Sequence, residues 1–153
     1  MISPCARALT VAVVTLAATR VIGAQTATAA SARLDSTVML YCAAWSTAAR
    51  ATRDQLLERI WADGGTYLDK GNTRADGRAA LSDAIGRMAQ RYPGAHFQCS
   101  RPQAHHDVMR FAWILRGRGN AEMLNGMDFA ELAADGRILR IVGFFGPLPS
   151  ASP

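Results

Sequence analysis

Lysine is nearly absent from this 153-residue chain: Lys70 is the only one among 17 basic residues, and the arginines stand singly with acids between them. Without a Lys/Arg run there is no patch to track phosphates, so nucleic acid is not an expected partner. Histidine and cysteine are scarce as well, with three of each. No Cys/His spacing gathers three ligands on one element, and the compact His105-His106-Asp107 group would diverge along a strand, so no metal is expected. The chain also lacks a glycine-rich phosphate loop, a nucleophile elbow and a Cys/His catalytic signature. These absences remove most cofactor-dependent chemistry, and no cofactor is expected.

Half of the residues are hydrophobic, which suits one compact domain. Residues 1–24 read as a secretory signal. Arg7 supplies the positive start, Ala8–Ala18 is an apolar run too short to span a bilayer, and Ile22-Gly23-Ala24 offers a small residue before the cut. Ala27-Thr28-Ala29 is a second cleavage candidate, and Arg20 is atypical for a signal, so an uncleaved membrane tether is the alternative. No other stretch could span a membrane. The expected location is therefore periplasmic or secreted. Cleavage would remove two arginines and no acid, lowering the formal charge from +5 to +3. It would also remove Cys5 and leave Cys42 and Cys99, which in an exported protein can form one disulfide between the first helix and the first long strand or remain as two buried thiols.

Residues 25–33 form a small-residue linker. Beyond it, Leu34, Val38, Tyr41, Trp45 and Ala48 recur at steps of three and four, marking a helix. Thr52-Arg53-Asp54-Gln55 has the spacing of a capping box, and Leu56, Leu57, Ile60 and Trp61 continue a second helix that Gly64-Gly65 stops. A brief extended piece, Thr66–Asp69, and a polar loop through Gly77 follow. Leu81, Ile85, Met88 and Tyr92 share one face of a third helix, which Pro93-Gly94 ends. From there the pattern is strand: Ala95–Ser100, Ala104–Arg116, Ala121–Ala133 and Ile138–Phe145. Helices first and long strands afterwards predict an α+β domain over residues 34–147, with three helices on one face of a curved antiparallel sheet and residues 148–153 as a tail. The hollow between the two layers is a natural ligand pocket.

The segment GMDFAELAADGRILRIVGFFG carries the strongest signal. It alternates with period two on both sides of Asp135-Gly136, a pair suited to the positive φ angles of a tight hairpin. Leu124, Gly126, Asp128, Ala130 and Leu132 share one parity, which puts a single carboxylate among small and apolar neighbours. Desolvation there raises a carboxylate's pKa, making Asp128 a candidate for acid/base work or a structural, hydrogen-bonded Asp. His105 shares the parity of Met109, Phe111, Trp113 and Leu115, so it is the histidine expected to face the pocket, where a His-Asp pair could move protons near neutral pH.

The order of elements, with the strings WADGGTYLDKG, DGRAAL and MDFAELAADGRILRIVGFFG, resembles the NTF2-like superfamily, in particular its SnoaL-like and ketosteroid isomerase-like branch. The resemblance implies a cone-shaped α+β barrel around a cavity. In isomerases of this branch, a carboxylate after the second helix shuttles a proton, and that position matches Asp69. A second, protonated carboxylate before the hairpin glycine donates to the substrate oxyanion, and that position matches Asp128. Where those isomerases carry a tyrosine on the first helix this chain has Trp45, an indole without a phenol's acidity, which argues against steroid isomerisation. Lys70 replaces the proline common after the first carboxylate and sets an ammonium beside it. Dehydratases of the superfamily use a His-Asp pair, whereas the Arg-x-Asp pair of its epoxide hydrolases is missing, because Arg110 is followed by Phe111 and Ala112.

The expected site thus comprises Asp128, Asp69 and His105 as acid/base groups, with Tyr41, Trp45, Tyr67, Phe111 and Trp113 lining the pocket. Two functions fit it: an exported module binding a small apolar molecule, or a cofactor-independent isomerase, cyclase or dehydratase-like enzyme acting through Asp128 and Asp69. Pairing of two copies through their sheets, as in many superfamily members, is a further expectation.

Overall fold

The computed structural model describes residues 14–71 and 73–150, with side chains from residue 28 onward except at residue 72. The chain divides into two compact units, Met1–Arg33 and Leu34–Pro153. In the first, the described residues are helical and belong to α1 (Val14–Trp45), so residues 25–33 are not an irregular linker. Alanine-rich sequence without proline or glycine favours helix there. The start of the signal reading, residues 1–13, lies outside the described residues. Among those described, no helix is long and apolar enough to cross a membrane.

In the second unit, the end of α1 is followed by α2 (Arg50–Ile60), β1 (Trp61–Asp69), β2 (Arg74–Asp76), α3 (Arg78–Arg91), β3 (His96–Cys99), β4 (Gln103–His105), β5 (Val108–Arg116), β6 (Glu122–Leu132) and β7 (Ile138–Phe145). The strands form one seven-stranded sheet in the order β2-β1-β7-β6-β5-β3, with β4 also on β5. It is mixed rather than wholly antiparallel, because β1 runs parallel to β7, and it does not close into a barrel. The parallel pair brings the end of β1 beside the middle of the last hairpin, which is what unites the site.

Four local expectations are corrected. The Thr52–Gln55 string does not cap α2: the helix begins at Arg50 behind Ala49, with no side-chain cap. Gly64-Gly65 lies inside β1, where the pairing with β7 shifts register and Gly64 takes φ 74°. The long second strand is a hairpin: β4 and β5 pair antiparallel across His106-Asp107, with His106 at φ 52°. The β6–β7 turn spans Ala133 to Arg137, closed by Gly136 N–H donating to Ala133 O at 2.8 Å, and Gly136 alone carries a positive φ, 78°. The three-residue loop Ala134–Gly136, ending on a glycine in the left-handed region, is among the next most common hairpin connections after the two-residue form.

The face of the sheet towards the helices follows the predicted alternation. Met109, Phe111, Trp113 and Leu115 of β5 and Gly126, Asp128 and Ala130 of β6 are all buried. Val38, Tyr41 and Trp45 of α1, Leu57 of α2 and Leu81 and Ile85 of α3 are buried in the same core. Cys42 of α1 and Cys99 of β3 are joined in a disulfide, with Cα atoms 6.3 Å apart.

Candidate functional site

Between the helices and the sheet lies a cavity of about 390 Å³. That volume is within the range of small-ligand sites. Asp128, in the middle of β6, is 3% exposed on its wall. Trp113 of the neighbouring strand donates its indole Nε1–H to Asp128 Oδ1 at 2.8 Å. Tyr41 of α1 donates its hydroxyl to Oδ2 at 3.1 Å. Asp69, at the end of β1, is held by the turn that follows it: Gly71 and Thr73 N–H donate to Oδ1 at 2.7 and 3.1 Å, and the Tyr67 hydroxyl donates to Oδ2 at 3.2 Å.

Gly143 brings the two carboxylates together. It pairs in register with Asp128 on one side and with Asp69 on the other, so three adjacent strands place Asp, Gly and Asp in one row. A β-carbon at Gly143 would stand 3.1 Å from Asp128 Oδ1, 3.5 Å from Asp69 Cβ and 3.5 Å from the Tyr67 hydroxyl. The missing side chain leaves the space between the carboxylates open.

Burial pushes the Asp128 carboxyl up to about 6, the two donors from Trp113 and Tyr41 pull against it, and the Asp69 charge adds to the rise. Burial, and then the nearby Asp128 charge, hold the phenols of Tyr41 and Tyr67 above their ordinary value, so both remain protonated donors. A carboxylate that titrates close to neutrality in an apolar cavity can take or return a proton, and its protonated form can donate to a ligand oxygen.

Of the residues expected from sequence, Asp128, Asp69, Tyr41, Trp45, Tyr67 and Trp113 do line this cavity. His105 does not: it is exposed in the β4–β5 hairpin, its Nδ1 3.3 Å from that of His106. The turn at His106-Asp107 breaks the parity on which the expectation rested. Phe111 is buried in the core instead, edge-on to Tyr41 with ring centroids 5.6 Å apart, where it supports the phenol rather than the cavity. Lys70 is turned away to the Phe145 carbonyl at 3.2 Å. The phenol expected from the position of Trp45 comes from Tyr41, one helical turn earlier. Trp45 Nε1 is buried without a hydrogen-bond partner. Tyr92, Phe97 and Phe145 complete the aromatic wall, Arg87 and Arg91 of α3 line it and are exposed, and the Cys42–Cys99 disulfide also borders the cavity. Among the described residues no cluster of His, Cys, Asp and Glu could hold a metal ion.

The fold and site define an α+β protein with a side-chain-lined cavity and two carboxylates on its wall. The model of the SnoaL-like domain matches residues 41–141, and the chain belongs to that family. A candidate isomerase of the SnoaL-like family from Agrobacterium tumefaciens is 27% identical, with a TM-score of 0.68 over 73% of this chain and 96% of that one. A candidate polyketide cyclase from Sinorhizobium meliloti is 18% identical with a TM-score of 0.58, over 74% of this chain and 98% of that one. A protein of ketosteroid isomerase-like fold from Catenulispora acidiphila, solved in complex with trimethylamine, is 15% identical with a TM-score of 0.59, over 72% and 85%. The last two show the NTF2-like fold alone. No curated protein matches the chain.

Proposed function

We propose that this SnoaL-like protein binds a small, mainly apolar molecule in the cavity, with the polar end of that molecule against Asp128. The observation that carries the reading is the convergence of Asp128 and Asp69 across Gly143 on one cavity walled mainly by aromatic and aliphatic side chains. Such a cavity rewards burial of apolar surface, and a lone polar group fixes orientation. Because Trp45 and Trp113 border the space, entry of a ligand changes their emission. Titrating the disulfide-intact protein with a panel of cyclic ketones and hydrocarbons of graded size, followed by tryptophan fluorescence and melting temperature, is expected to give saturable binding. A flat response to the whole panel would sink the proposal.

A second reading, cofactor-independent proton transfer, is favoured by the Asp128 carboxyl titrating at about 6. Under it, ionised Asp128 removes a proton next to a ketone carbonyl and returns it elsewhere on the substrate, with Asp69 as the second carrier. The protein is then expected to catalyse exchange of α-hydrogens of a bound ketone for deuterium in D2O, seen by NMR, and Asp128→Asn should lower that rate at least about 100-fold. Binding of the ketone without exchange leaves the binding function alone.

Export belongs to the same proposal. The positively charged start and apolar run of residues 1–18 support it, as does a disulfide, which persists in oxidising compartments.

A further inference from the structure

We propose that the polar end of the cavity ligand is a cation, the ammonium head of an organic amine held between Asp128 and the aromatic wall. The inference rests on the binding reading above and names its ligand class.

The charge of the site is unbalanced. Indole Nε1–H can only donate, so the Trp113 bond meets an unprotonated carboxylate oxygen, and the Tyr41 hydroxyl donates to the other. Both donors are neutral. They stabilise a carboxylate anion without cancelling its charge, and Asp69 adds a second carboxylate across Gly143. Among the described residues, neither carboxylate takes part in an ion pair; every such pair lies elsewhere on the surface. A buried anion without a counter-charge is unfavourable, and a ligand that brings the counter-charge gains what the site lacks.

The walls point the same way. Trp45, Tyr67, Phe97 and Trp113 border the space, and aromatic faces attract cations, more strongly where water is excluded; the Phe145 ring beside them already has the Lys70 ammonium 5.5 Å from its centroid. The charged and titratable groups around Asp128 are Tyr41 from α1, Tyr67 and Asp69 from β1, Arg87 and Arg91 from α3 and Tyr92 at its end, with the Lys70 ammonium beyond the Phe145 ring. Both arginines are exposed and make no ion pair with either carboxylate, so water screens them at the mouth. From β5 and β7 the facing residues are Trp113 and Gly143, which do not titrate.

A cation and a neutral oxygen acceptor respond to pH with opposite sign. An ammonium binds the ionised form, so its affinity should rise about tenfold between pH 5 and pH 7.5, following the ionised fraction of a group titrating near 6. A ketone that needs a proton from Asp128 should weaken over the same interval.

The test titrates the disulfide-intact protein with choline, with its neutral carbon isostere 3,3-dimethyl-1-butanol, and with cyclohexanone, at matched ionic strength and several pH values, read by tryptophan fluorescence. The expected result is choline binding at least tenfold tighter than the isostere at pH 7.5, tightening from pH 5, and lost by tenfold or more in Asp128→Asn. If that variant does not fold, the pH profile of the unaltered protein decides. Equal binding of choline and its isostere, or choline affinity that is flat or falls with pH, overturns the proposal. Cyclohexanone binding without choline binding overturns it while leaving the cavity reading intact; no binding by any of the three overturns both.

Discussion

Asp128 carries its charge where there is almost no water, and this ties the stability of the fold to pH. Its carboxyl titrates at about 6 in the folded protein against 3.8 when free. Between those values the folded state holds the proton and the unfolded state has released it. The stabilising contribution is therefore fully present below about pH 4 and is lost as the pH rises through about 6, a difference on the order of 3 kcal/mol. Asp128→Asn removes the titration and keeps the shape: its amide oxygen can accept from Trp113, and its NH2 can donate to a Tyr41 hydroxyl that turns from donor to acceptor. In urea denaturation the variant should be more stable than the parent at about pH 8, by up to roughly 3 kcal/mol, and nearly equal at about pH 4. A gain that persists undiminished at low pH would show that the carboxylate was not the source. The burial of Asp128 was legible from parity alone, since one acid among Gly126, Ala130 and Leu132 has few other places to go. Its donors were not, because Tyr41 and Trp113 lie 87 and 15 residues away, the first reaching it through the helix-on-sheet contact and the second across the β5–β6 pairing. His105 misled for the complementary reason: alternation cannot be carried through an unrecognised two-residue turn.

At the scale of elements, the three helices and the last hairpin were legible because their apolar spacing is strong. What escaped was short or paired at a distance: three-residue β2 and β4, and the parallel contact between β1 and β7 that no local pattern encodes. The start of α2 illustrates a motif read correctly as a string and wrongly as a structure. Thr52 and Gln55 are exposed inside the helix, whereas Arg53 between them is 4% exposed and does the joining. Its guanidinium donates to the carbonyls of Thr47 and Ala48 at 3.2 and 2.7 Å and to Ser82 Oγ of α3 at 3.4 Å. It thus satisfies the carbonyls of the α1–α2 connection and ties that connection to the third helix. Arg53→Met should strand those carbonyls and cost about 3 kcal/mol in chemical denaturation, with Arg53→Lys recovering only part because an ammonium lacks the fork. Exposed Arg59, two turns along the same helix, serves as the control: Arg59→Met should change stability by less than about 0.5 kcal/mol. Equal effects at the two positions would mean that the buried bonds contribute little.

For the whole molecule, the proposed export, the disulfide and the site would form one chain of dependence. Cys42 immediately follows Tyr41 on α1, and its bond to Cys99 of β3 fixes that turn of the helix beside the cavity. Closing a loop with a sequence separation of 57 residues should stabilise the folded state by about 4 kcal/mol in the chain-entropy account. A reducing compartment would forfeit that term, so the proposed signal at residues 1–24 governs more than location. Cleavage after Ala24 would fall within α1 but well before Leu34, where the unit bearing the cavity begins. Expressed at full length in a Gram-negative host, the protein should appear in the periplasm with Gln25 as its first residue and with Cys42 and Cys99 resistant to alkylation. Recovery from the cytoplasm at full length with both thiols reactive would refute export. Reduction of the mature protein then separates scaffold from site. If the disulfide serves to hold Tyr41 against Asp128, mild reductant should weaken binding of the cavity ligand several-fold under conditions where circular dichroism still reports a folded chain. Parallel loss of binding and fold would assign the bond to global stability instead.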